Sequence, residues 1–191
     1  MQQVYFDWGD QLRTNGSGGF PYTPSLHLLY GLRETIDIAM EEGFDNQIAR
    51  HARLAEGTRR AVAAWGLKNF CQDPRWYSNS LTVVATPEGV DSNLIVNNAF
   101  TRFNLSIGIG LAQVNGKVFR IGHLGDLNEV SMLGAISGVE MSLLQSGVEI
   151  QPGSGVGAAA KYFQQTSQIL RGRQQYVIGQ AVEQKSKAAS M

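Results

Sequence analysis

An Asn-Gly pair at residues 115 and 116 stands between two apolar runs, residues 105–111 and 118–122. Both residue types tolerate the positive φ that a tight antiparallel reversal needs, so this arrangement predicts a β-hairpin. A hairpin inside a chain otherwise full of helical periodicities restricts the fold to a sheet with helices packed against it. The second arm of the hairpin continues as GKVFRIGHLGD and places Arg120 among apolar residues near a strand end, with Gly122 and Gly125 just beyond. An arginine there either faces solvent or grips a planar carboxylate through two parallel hydrogen bonds, which a lysine cannot make. Glycines beside it carry no side chain to keep a ligand away.

The remaining strands and helices follow from pattern. Residues 80–87, SLTVVATP, are β-branched and apolar and predict a well-buried strand, and residues 67–70 a short edge strand. Leu26, Leu29, Leu32, Ile36, Ala39 and Met40 recur at helical spacing behind Ser25, a possible cap, and Gly43 ends that helix. A second helix is expected over 45–65, stopped by Gly66, with Ile48, Ala52, Ala55, Val62 and Trp65 inward. Its other side carries Arg50, Arg53, Arg59 and Arg60, read as a solvated face. Asp91 and Ser92 open a third helix with Leu94, Ile95, Ala99 and Phe103 as its stripe. The last helix spans 128–145, carrying Val130, Leu133, Ile136, Val139 and Leu143. Residues 4–8 read as a short strand-like segment, and the chain turns polar and glycine-rich after Gly147. The expected fold is α/β: a small sheet covered by helices on one side.

Composition excludes several classes. Lys plus Arg number 16 and Asp plus Glu 16, so no net field draws nucleic acid or an anionic membrane. No apolar run reaches membrane-spanning length and no signal peptide pattern opens the chain, so a cytoplasmic location is expected. The lone Cys71 forms no internal disulfide. His27, His51 and His123 match no zinc spacing, and no metal site is expected. His123 stands three residues past Arg120 and is a candidate site neighbour. Thr23, held between Pro21 and Pro24 ahead of a helix, either caps that helix or presents its hydroxyl to an anion.

Taken as a set, FPYTPSLHLLYGLRE, NQIARHARLAEGTRRAVAAWGLK and GKVFRIGHLG resemble the C-terminal half of the class V aminotransferases, in particular their glyoxylate-dependent branch. The resemblance covers roughly residues 5–163. It implies the fold of a fold-type I, pyridoxal-phosphate-dependent transferase that works as a homodimer. Residues 1–43 would end the large cofactor-binding domain with an interface helix, residues 44–150 would form the small α+β domain, and 151–191 a polar tail. The implied activity moves an amino group from serine, or a similar amino acid, to glyoxylate. Arg120 takes the place of the arginine that holds the substrate carboxylate. Thr23 takes that of the residue reaching the partner's cofactor phosphate. Phe20 stands where some relatives have a tyrosine hydroxyl, so either Tyr22 substitutes or that contact is absent. Lys68, Lys117, Lys161, Lys185 and Lys187 do not stand in the context of the family's Schiff-base lysine, so the chain is expected to be catalytically incomplete alone. The alternative is a non-catalytic α+β binding or assembly module derived from the same fold.

Overall fold

The computed structural model describes residues 6–167. The chain divides into two compact units, Met1–Phe44 and Asp45–Met191.

The first unit holds two helices. Helix α1, Trp8–Asn15, occupies part of the segment expected to be strand-like. The cause is Asp7, an extended N-cap residue whose carboxylate accepts the N–H of Gly9 at 2.8 Å and of Asp10 at 3.2 Å. Helix α2, Leu26–Glu42, ends at Gly43, whose φ of 84° breaks the helix after its N–H reaches the carbonyl of Ala39. Ser25 stands at the N-cap of α2, but its side chain makes no capping bond. Within α2 only Ala39 is buried.

The second unit runs helix α3 (Phe44–Ala64), strand β1 (Lys68–Asn69), strand β2 (Leu81–Ala85), helix α4 (Ser92–Phe103), strand β3 (Gly108–Ile109), strand β4 (Val118–Gly122), helix α5 (Glu129–Gln145) and helix α6 (Ser154–Gln165). The four strands form one antiparallel sheet in the order β1-β2-β4-β3. In β2 burial alternates, so the strand has one covered and one half-open face rather than two buried ones. Val84, Phe119 and Ile121 pack with Leu54 and Val62 of α3, Ile95 of α4, Ile136 and Leu143 of α5, and Phe163 of α6. Leu81, Val83 and Arg120 belong to the other face, where they remain half-buried.

The hairpin is present, but it is not a two-residue reversal. Of residues 105–111 only Gly108 and Ile109 pair with β4. A 3-10 turn at Ala112–Val114 follows, and then a type II turn, with Asn115 at φ −59°, ψ 135° and Gly116 at φ 75°.

Helix α6 lies inside the polar, glycine-rich stretch after residue 151 and adds Ala159 and Phe163 to the core. Its N-cap, Gly153, has no side chain to offer. The buried carboxylate of Glu140 on α5 substitutes, accepting the N–H groups of Gly153, of Gly155 at 2.8 Å and of Val156 at 3.3 Å, and the indole N–H of Trp65 at 2.8 Å. Burial pushes this carboxyl up, and the four hydrogen bonds to its charged form outweigh that, so it sits below its ordinary value. Residues 168–191, the rest of the expected tail, lie outside the described residues.

Candidate functional site

Arg120 sits in the middle of β4, opposite Val83 on β2 and Gly108 on β3. Alternation along the strand sends Phe119 and Ile121 into the core and Arg120 to the half-open face. Its side chain leans over β3, where Nε donates to the carbonyl of Ile109 at 2.9 Å. Among the described residues no hydrogen-bond or ion-pair partner takes Nη1 or Nη2. A guanidinium anchored at Nε with both ends free is a preset fork for a carboxylate.

The glycine that makes room for it is Gly108. A Cβ there would stand 2.9 Å from Arg120 Nε and 3.2 Å from its Cζ. The glycines singled out from sequence play no such part, since a Cβ on Gly122 or Gly125 meets nothing within 4 Å. A glycine inside a strand was the available signal for Gly108, because it marks close approach of another group.

His123 is not beside the fork. It is fully buried, with Nδ1 3.0 Å from the Asn79 carbonyl and Nε2 2.9 Å from the Thr82 hydroxyl. The carbonyl fixes the proton on Nδ1, so Nε2 accepts from Thr82. Burial lowers its pKa from 6.5 to about 4. His51 has the same tautomer, with Nδ1 2.7 Å from the Gln47 carbonyl and Nε2 accepting the Gly125 N–H at 3.0 Å. Arg50 donates to the carbonyls of Gly125 and Leu127. Together these side chains tie the turn after β4 to α3.

The other arginines of α3 are also engaged, contrary to a merely solvated face. Arg53 joins Glu129, Thr166 and the Phe163 carbonyl, Arg59 lies over Tyr77, and Arg60 lies over Tyr162. Thr23 and Tyr22 belong to the first unit, in the non-helical segment before α2, and both are exposed. Lys68, Lys117 and Lys161 are exposed, and Lys185 and Lys187 lie outside the described residues. An imine-forming lysine is activated by a desolvated pocket or a neighbouring cation, and the three described lysines have no such burial. An open cavity of about 580 Å³, lined by Phe70, Thr86, Val90 and Lys117 among others, does not include Arg120. No cluster of metal-ligating side chains occurs among the described residues, and no helix there is long and apolar enough to cross a membrane.

A small antiparallel sheet packed with helices is an architecture found in pyridoxal-phosphate-dependent aminotransferases. The crystal structure of ureidoglycine–glyoxylate aminotransferase from Bacillus subtilis matches it with a TM-score of 0.79 at 26% identity, over 85% of this chain and 42% of that one. No protein-family model matches the chain. Serine–glyoxylate aminotransferase of Methylorubrum extorquens is 56% identical over 165 residues, 86% of this chain and 41% of that protein. The enzyme of the same name from Arabidopsis thaliana is 51% identical over 172 residues, 90% of this chain and 43% of that protein. The chain belongs to the class V aminotransferases, matching their C-terminal half. It spans about two fifths of the length of the curated relatives it matches.

Proposed function

We propose that this chain is the C-terminal portion of a pyridoxal-phosphate-dependent aminotransferase that moves an amino group from serine, or a similar amino acid, to glyoxylate. The observation that carries the reading is the Arg120 fork, anchored at Nε and open at both Nη atoms. In that role Arg120 binds the carboxylate shared by donor and acceptor and so orients the reacting carbon. The three relatives named above share glyoxylate in their names and differ in the donor, serine or ureidoglycine. A fork that reads only the common carboxylate suits both. Bound cofactor would supply the electron sink for amino transfer. Thr23 and Tyr22 would hold the phosphate of a cofactor seated in the partner subunit of a homodimer, and the imine lysine would come from sequence this chain does not contain.

In the aminotransferase that includes this chain, Arg120→Lys is expected to raise KM for both serine and glyoxylate about 10- to 100-fold, the effect of losing one bidentate charge-assisted contact. Unaltered kinetics would remove Arg120 from the site. For the chain alone, pyridoxal phosphate followed by borohydride is expected to leave no stoichiometric lysine adduct; finding one overturns the incompleteness. The exposure of all three described lysines also favours a second reading, a non-catalytic module that keeps the carboxylate fork without the chemistry.

A further inference from the structure

We infer that Gly108 is the positioning residue of the Arg120 guanidinium, and that it obliges the carboxylate to dock end-on, across Nη1 and Nη2. The docking part rests on the carboxylate role proposed for Arg120; the positioning part does not.

Three observations support it. Gly108 and Arg120 face each other across the β3–β4 ladder, so their side chains would share one face of the sheet. A Cβ at position 108 would meet Arg120 at three atoms, with Nε at 2.9 Å, Cβ at 3.1 Å and Cζ at 3.2 Å. The guanidinium therefore lies across the space that any other residue would fill, and in that posture Nε reaches the Ile109 carbonyl at 2.9 Å. Backbone conformation is not the reason for the glycine, because Gly108 is absent from the positive-φ residues. An alanine keeps the extended backbone but takes the place of the guanidinium, and its contact with Arg120 Cβ at 3.1 Å asks the two strands to part by a few tenths of an ångström.

The consequence concerns which edge of the guanidinium is available. A planar guanidinium offers a carboxylate either its Nε–Nη edge or its Nη1–Nη2 end. With Nε committed to Ile109, the end remains. Anchoring Nε also removes rotamer freedom before the ligand arrives, which lowers the ordering cost of binding.

The test uses the ¹⁵N-labelled chain, with Arg120 signals assigned by their loss in Arg120→Lys and with glycolate as an unreactive probe. In the unliganded chain the Arg120 Nε–H is expected to exchange at least tenfold more slowly than in Gly108→Ala. Gly122→Ala, whose added Cβ meets nothing, should match the parent. Glycolate should move the Nη signals of the parent and leave Nε–H in place, and Gly108→Ala should bind it at least fivefold more weakly. Equal Nε–H protection in Gly108→Ala overturns the positioning role. Glycolate binding unchanged in that variant, or a ligand shift centred on Nε–H in the parent, overturns end-on docking. Should Gly108→Ala fail to fold, the parent titration still decides the docking edge. If glycolate moves no Arg120 signal in the parent, the carboxylate role and end-on docking fall together, while the ligand-free exchange comparison still decides whether Gly108 holds the guanidinium.

Discussion

The two faces of the sheet treat their polar groups in opposite ways. On the helix-covered face, Glu140 accepts four hydrogen bonds and both ring nitrogens of His123 are used. On the other face Arg120 makes one bond and keeps two donor ends open. A buried polar group without partners costs about 1–3 kcal/mol, so saturation on the covered face serves folding. Open donors on the half-exposed face cost little, because water satisfies them until a ligand does. The contrast separates residues that hold the fold from the one equipped to bind.

Variants on the covered face should therefore lose stability. Glu140→Ala strands the N–H groups of Gly155 and Val156 and the Trp65 indole, and uncaps α6. The expected loss is about 4 kcal/mol by urea unfolding, with α6 as the first element to exchange its amides. A loss under about 1 kcal/mol would mean that water replaces the carboxylate and that this face is less dry than argued. Gly57→Ala comes next, because its Cβ would lie 2.3 Å from the Phe163 ring. That ring is buried and lies under the Arg53 guanidinium, so about 3 kcal/mol is expected.

His123 makes the same contrast visible in pH. Its folded value of about 4 lies below the ordinary 6.5, so the unfolded chain binds the proton more readily between those values. The histidine's contribution is complete above pH 6.5 and fades as the pH falls toward 4, with about 2 kcal/mol gone by pH 5. Glu140, held below its ordinary value, adds a further loss at lower pH, as the solution passes through its folded value. An NMR titration that finds His123 protonating near 6.5 in the folded chain would show that water reaches it.

What the sequence disclosed and what it concealed divide along local and long-range causes. Strand β4, the opening of α4 at Asp91 and the start of α5 near residue 128 are written within a few residues, and all three appear where the pattern places them, with Asn128 as the cap of α5 rather than its first residue. Helix α1 carried the same kind of signal in Asp7, masked by the aromatic residues around it. Helix α6 was not legible, because its glycine-rich start reads as a loop and masks the helix-favouring AAAKYFQQ behind it. Its cap comes from Glu140, its packing space from Gly57, and its last turn is tied by Arg53, all far away in sequence. The same reason conceals the work of the α3 arginines, whose partners lie on the loop after β4 and on or beside other helices. Ile48, Leu94 and Val130 fit an inward stripe by spacing yet are exposed, which shows that periodicity gives a face without its width. Arg120 was legible as a candidate, but the glycine that shapes its posture was not, since their relation is a cross-strand register.

The smallest expected effect is the most discriminating. Arg120→Leu removes one hydrogen bond on a half-open face, to the carbonyl of Ile109, an exposed residue of an edge strand. Net hydrogen bonds of this kind contribute about 0.5–1 kcal/mol, and the leucine recovers part of that by covering Val83, so urea unfolding should shift by less than about 0.5 kcal/mol. Glycolate binding should vanish in the same variant. A structural arginine such as Arg53, which joins Glu129, Thr166 and the Phe163 carbonyl, should behave the other way round, with stability lost and binding kept. If Arg120→Leu instead unfolds the chain while Arg53→Leu does not, the open face is part of the framework and the division between the two faces does not hold.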